Sequence, residues 1–246
     1  MLELAGKVAL VTGGSRGIGA AIVRKLARGG ADVALTYVSA AEKGRAVVAE
    51  VEAAGRRGLA IAADSADPAA VVGAVERTAA ELGRIDILVN NAGIALMGPL
   101  EAVTLEDVDR TLAIHVKAVF LASQAAARRM GAGGRIISIG SCLAERAPGP
   151  GTTLYSMSKA ALVGLTKGLA RDLGPRGITA NLVQPGPIDT DMNPAHGPGA
   201  DQQRSLLAVP HYGSADDIAA TVAHLAGEGG RFITGATIAV DGGFAA

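Results

Sequence analysis

Short runs of aliphatic and β-branched residues alternate along the chain with longer, alanine-rich stretches. The short runs are Lys7 to Thr12, Asp32 to Tyr37, Gly58 to Ala62, Ile85 to Asn90, Arg135 to Ile139, Thr179 to Gln184 and Thr237 to Val240. Runs of that length, apolar at successive positions, fit strands buried on both faces, and the stretches between them have the length of helices. Three of those stretches carry helix start signals: Asp67 precedes Pro68, Thr104 stands three residues before Asp107, and Ser214 stands three before Asp217. Such an oxygen takes up an N–H of the first helical turn. Strand and helix in repeated alternation predict right-handed crossovers. The fold class is therefore α/β, a Rossmann-type doubly wound parallel sheet of about seven strands with helices on both faces. No internal repeat or low-complexity linker breaks the pattern, so residues 1–246 read as a single domain.

Two helical segments are apolar on more than one side. They are Leu105 to Met130, and Tyr155 to Leu173 with Ala160, Ala161, Leu162, Val163, Leu165 and Leu169. Since the sheet covers one side of a helix, the other side calls for a second subunit. Gly164 and Gly168 would permit close approach, and a homo-oligomer is expected. Pro185 to Tyr212 is rich in Pro, Gly and Asn, and reads as a long irregular loop of the functional kind.

Composition narrows the picture. Apolar residues make up 49% of the chain while aromatics make up 2%, so the core must be built from Ala, Val, Leu and Ile packed closely. The formal net charge is zero and no five like charges run together, which argues against nucleic acid or an anionic membrane as a partner. One cysteine, Cys142, cannot form an intrachain disulfide, and with four His it offers no zinc-like spacing. No metal is expected, and a reducing compartment fits. The first apolar stretch is too short for a signal peptide, and no later one approaches the roughly 18 residues of a membrane span, so a cytoplasmic protein is expected.

The chemistry begins where the first strand ends. Thr12-Gly13-Gly14-Ser15-Arg16-Gly17-Ile18-Gly19 leads directly into a helical pattern. Gly13 allows a sharp turn, Gly17 allows backbone to approach a pyrophosphate, and Gly19 allows close packing, while the helix N-terminus offers free N–H groups to the anion. Ser15, Arg16 and Ile18 lie in the same turn. The spacing is TGxxxGIG rather than GxGxxG, and no GK[ST] follows, which excludes a P-loop. An NAD-selective site usually has a carboxylate at the end of the second strand. Here Tyr37 stands there, followed by Val38 and Ser39. Arg16 is in reach of a 2′-phosphate, and one charge-assisted bond worth about 1.5–3 kcal/mol gives roughly tenfold to hundredfold preference for NADP(H). Ser39 adds a hydroxyl, and Asp64-Ser65 after the third strand is placed near the adenine.

Tyr155 and Lys159 are four residues apart at the start of a helical segment and share one face. Lowering a tyrosine from about 10 to about 7 takes roughly 4 kcal/mol, which one cation about 4 Å away supplies at an effective dielectric near 20. Lys159 is therefore expected to lower Tyr155. Ser138-Ile139-Gly140-Ser141 places hydroxyls at the carboxyl edge of the sheet, where ligands bind in this architecture.

Taken together, these residues resemble the short-chain dehydrogenase/reductase family over essentially the whole chain. TGGSRGIG, Asn90-Asn91-Ala92-Gly93, Ser141, YSMSK, Pro185-Gly186-Pro187-Ile188-Asp189-Thr190, Ile233-Thr234-Gly235 and Val240-Asp241-Gly242-Gly243 follow one another in the family's order. The nearest pattern is that of 3-oxoacyl-carrier-protein reductases and related secondary-alcohol dehydrogenases. The resemblance implies hydride transfer between NADPH and a small-molecule ketone or secondary alcohol, in a homotetramer. It implies that Ser141 polarises the carbonyl, Tyr155 donates the proton and Lys159 binds the nicotinamide ribose. Asn91, Ala92 and Gly93 would line the cofactor site, with Pro185, Gly186, Ile188 and Thr190 at its nicotinamide end. The same scaffold also hosts epimerases, dehydratases and non-enzymatic NADP(H) sensors. An acyl carrier protein is a partner only if Arg128, Arg129, Arg171 and Arg176 form a basic patch. Two positions depart from the pattern. Ser141 precedes Tyr155 by fourteen residues rather than thirteen, which puts Cys142 at the usual spacing; the hydroxyl is the better donor. His115 stands where relatives usually have Asn, which makes it a fourth candidate catalytic residue.

Overall fold

The computed structural model describes residues 2–246. Seven parallel strands form one sheet: β1 (Val8–Val11), β2 (Asp32–Tyr37), β3 (Gly58–Ala62), β4 (Ile87–Asn90), β5 (Arg135–Ile139), β6 (Thr179–Pro185) and β7 (Thr237–Val240), in the order β3-β2-β1-β4-β5-β6-β7. The helices are α1 (Gly17–Arg28), α2 (Ala41–Ala53), α3 (Pro68–Leu82), α4 (Leu105–Leu112), α5 (Ala118–Arg129), α6 (Thr153–Leu173), α7 (Ala200–Ser205) and α8 (Ala215–Ala226). All seven strands fall where the apolar runs place them, β2, β3, β5 and β7 with the same ends and β1, β4 and β6 with ends shifted by one or two residues.

Successive side chains of a strand point to opposite faces, so each central strand serves two cores. From β1, Ala9 and Val11 join α1, α2 and α8 on one face, while Val8 and Leu10 join α3 and α5 on the other. Leu10 and Leu88 are wholly buried. The three start signals act as read: Asp67 accepts from the Ala69 N–H, and Thr104 with Asp107 and Ser214 with Asp217 form reciprocal capping boxes.

Two expectations need correction. Leu105 to Met130 is not one uniform α-helix, because Ala113–Lys117 forms a π-helical turn between α4 and α5. The loop from Pro185 to Tyr212 is not wholly irregular, because α7 lies within it. No helix among the described residues is long and apolar enough to cross a membrane.

Candidate active site

The strand order reverses direction between β1 and β4, and in an open parallel sheet the crevice beyond that point receives ligands. The segments following β1 to β6 line one cleft of about 980 Å³ there. Gly13, Ser15, Arg16, Gly17, Ile18 and Gly19 form its floor at the first turn, with Tyr37, Ser39, Asp64 and Ser65 along one end. Asn91, Ala92 and Gly93 lie at the centre, and Ser141, Tyr155, Lys159, Pro185, Gly186, Ile188 and Thr190 lie at the other end. Of the candidate residues, His115 alone stands outside the lining.

The first turn is held by its own contacts. Gly17 has a φ of 52°, a left-handed conformation that a side chain would strain. A Cβ at Gly19 would lie 2.3 Å from the Gly13 carbonyl oxygen and 2.5 Å from Asn91 Nδ2, so Gly19 packs against the turn itself. Asn91 Nδ2 donates to the carbonyls of Thr12 and Gly13 at 2.9 and 3.1 Å, and Thr12 Oγ1 accepts from the N–H groups of Asn91 and Ala92. Asn91 therefore clamps the turn with its amide while its edge faces the cleft. Arg16, at the start of α1, makes no side-chain cap and no acid occupies the first turn. That leaves the α1 N–H groups and dipole open to an anion.

At the other end, Ser141 stands two residues beyond β5 and Tyr155 lies in the first turn of α6. Ser141 Oγ accepts from the Leu143 N–H at 3.2 Å, and the Ser141 hydroxyl acts on Tyr155 in the direction that lowers it. Burial pushes the Cys142 thiol up to about 12, so it stays protonated. Lys159 is buried beneath them, with Nζ donating to the Ile139 carbonyl at 3.1 Å, and burial lowers it to about 8. Contrary to the sequence expectation, Tyr155 is raised above its ordinary value in the chain alone. Burial outweighs the opposing influence of Ser141, and Lys159 Nζ lies over the ring, 5.8 Å from its centroid. His115 is buried on the π-helical turn and held down to about 3, by burial first and by the Lys159 charge second.

Several lining residues carry no sequence signal. Lys43, on the first turn of α2, joins Arg16 at the end where Tyr37 and Ser39 lie, and its Nζ is 3.4 Å from Asp191 of the long loop. Phe244 lines the opposite end, fixed by Arg146, which donates to its carbonyl at 2.6 Å and stacks on its ring. Of Leu96, Met97, Leu143, Leu154 and Met192, which the sequence offers for an aliphatic substrate pocket, Met97, Leu143 and Met192 line the cleft, joined by Leu206, and Leu96 and Leu154 do not. The four arginines do not stand free as a patch, because Arg129 pairs with Glu76 and Arg176 donates to the carbonyls of Ala127 and Met130.

Known proteins place this geometry. The family model for enoyl-(acyl carrier protein) reductase matches residues 13–245. A cyclic-di-GMP-binding biofilm dispersal mediator protein of Escherichia coli K12 is 46% identical over 241 residues, covering 98% of each chain. Two solved structures superpose with a TM-score of 0.98. One is a blue fluorescent protein from a metagenomic library in complex with NADPH, 63% identical over 99% of this chain and 100% of that one. The other is a short-chain dehydrogenase of Burkholderia cenocepacia J2315 in complex with NADP, 61% identical with the same coverage. With sequence likeness and backbone agreement both running almost from end to end, the chain belongs to the short-chain dehydrogenase/reductase family.

Proposed function

We propose that the protein is a cytoplasmic, NADPH-dependent reductase of small-molecule carbonyls. The observation that carries this reading is the convergence of Ser141, Tyr155 and Lys159 at one end of a cleft whose other end presents an uncapped helix start and two cations. The cradle fits NADP(H): the first turn of α1 takes the pyrophosphate, and Arg16, Lys43 and Ser39 take the 2′-phosphate, with no carboxylate at the end of β2 to oppose it. The bound cofactor supplies the hydride. Ser141 donates a hydrogen bond to the substrate carbonyl oxygen, and Tyr155 delivers the proton to that oxygen. Burial raises Tyr155, so the hydroxyl is protonated at neutral pH, as a proton donor must be. Lys159, at about 8, is charged at neutral pH and held by Ile139. The Tyr155→Phe variant keeps NADPH affinity and loses at least about a hundredfold in turnover, since general-acid contributions are typically 10²- to 10⁴-fold. Near wild-type turnover by a folded variant defeats the reading.

The 46% identical relative, named for binding cyclic-di-GMP, favours a second reading as a nucleotide-binding regulator. Displacement of NADPH by cyclic-di-GMP, together with no consumption of NADPH across a ketone panel, would select that reading. A carrier-protein-linked substrate has less support, because two of the four arginines that would dock it are engaged within the chain.

A further inference from the structure

His115 sits at the meeting of three elements. It projects from the π-helical turn Ala113–Lys117, its Nε2 is 3.0 Å from the backbone nitrogen of Ile94 in the segment after β4, and its Nδ1 is 2.8 Å from Ser158 Oγ on α6. A backbone N–H can only donate, so Nε2 accepts and the ring proton is on Nδ1. Ser158 Oγ donates to the Tyr155 carbonyl at 2.7 Å, which leaves its oxygen free to accept from Nδ1. The direction of every bond is thereby fixed: Ile94 N–H to Nε2, Nδ1–H to Ser158, Ser158 O–H to the Tyr155 carbonyl. Both side chains are buried, at 1% exposure for His115 and 0% for Ser158, so water does not substitute for either partner. The imidazole meets Tyr155 edge-on, with centroids 5.6 Å apart. It also packs on Gly93, where an added Cβ would lie 3.3 Å from Nε2 and 3.6 Å from Lys159 Nζ.

Resting on the reductase reading above, we infer that His115 is a positioning residue, locked as the neutral Nδ1–H tautomer, which ties the cofactor-lining segment at Ile94 to the backbone of Tyr155 through Ser158. It carries no proton in the reaction. Tyr155 and Lys159 are the titratable groups that face it, and the Lys159 charge opposes protonation of the ring. The two bonds have separate consequences. The Ile94 bond fixes the segment that contains Gly93, and so bears on cofactor affinity. The Ser158 bond fixes the start of α6, and so bears on where the Tyr155 hydroxyl stands relative to substrate.

Three substitutions separate these roles. In His115→Gln the longer amide still accepts from Ile94 and loses Ser158, and Ser158→Ala breaks the same link from its other end. His115→Asn keeps a donor near Ser158 and is too short for Ile94. Loss of one hydrogen bond corresponds to about threefold to tenfold. His115→Gln and Ser158→Ala therefore lower kcat by that factor at unchanged NADPH Kd, and the double variant is no worse than His115→Gln alone. His115→Asn raises NADPH Kd, followed by cofactor fluorescence, by the same factor. Nitrogen NMR of the wild-type imidazole, assigned by its absence in His115→Gln, shows the Nδ1–H form unchanged from about pH 5.5 to 9. A ring that titrates in that range overturns the proposal. So do additive losses in the double variant, or three single variants that all match wild type in kcat and Kd. Where His115→Asn fails to fold, the other two variants carry the test. If the wild-type protein reduces no carbonyl, the reductase reading fails, while the tautomer and the NADPH affinities still decide the role of His115.

Discussion

Burial acts on Tyr155, Lys159 and His115 within a few ångströms of one another, raising the first and lowering the other two. For His115 this has a consequence outside the chemistry. The folded chain leaves the ring neutral down to about pH 3, while the unfolded chain takes up a proton below about 6.5. Throughout that window the unfolded state binds more protons, so stability is full above about pH 6.5 and falls as the pH drops, by up to about 1.4 kcal/mol per unit. Asp32, Glu50, Asp107 and Asp217 are held low, and their contributions are lost mainly below about pH 4.5. Urea midpoints measured from pH 6.5 to 4.5 should decline in wild type and stay nearly level in His115→Gln; equal slopes would show that His115 is not the acid-sensitive group. At the far end of the cleft, Arg16→Ala should weaken NADPH roughly tenfold to hundredfold and NADH by less than about twofold, as titrations with both cofactors would record. Equal losses would reduce Arg16 to a holder of the turn. Arg16 is legible in the sequence because it lies inside a contiguous turn motif. Lys43 and Phe244 are not, since each reaches the cleft through tertiary contact and leaves no mark on its neighbours in sequence.

Elements were legible wherever local physics decides them. The strands are short, β-branched and buried on both faces, so their runs stand out, and capping oxygens mark the starts of α3, α4 and α8. The π-helical turn at Ala113–Lys117 left no such mark. A single extra residue in a helix does not alter apolar periodicity enough to read, yet it turns His115 toward α6. The α7 helix, at six residues, is too short for periodicity to reveal. The reciprocal caps make a further expectation concrete: Thr104→Ala and Ser214→Ala should each lower stability by about 1 kcal/mol, read from urea unfolding. An unchanged midpoint would mean that the aspartate partner alone satisfies the helix start.

At the scale of the whole molecule, α5 and α6 leave apolar groups uncovered, among them Phe120 and Met157, and nothing in the chain lies within 4 Å of a Cβ placed at Gly164 or Gly168. We therefore expect other copies to cover this side, giving a homotetramer. Light scattering should return a mass four times that of the chain, falling to half or less in Gly164→Arg, which the isolated fold has room to accept. A tetramer that persists in the variant would place the contact elsewhere. The seam between β1 and β4 has its own implication. Asp86 accepts from the Val8 N–H at one end, and Asn91 holds the Thr12–Gly13 carbonyls at the other, each across nearly eighty residues. The glycine turn is therefore not a portable module. A fragment ending after α3 contains every residue of the TGGSRGIG stretch but lacks the amide that shapes it, so competence to hold a dinucleotide emerges only when both halves of the sheet have joined, and cofactor capture becomes a signal that folding is complete.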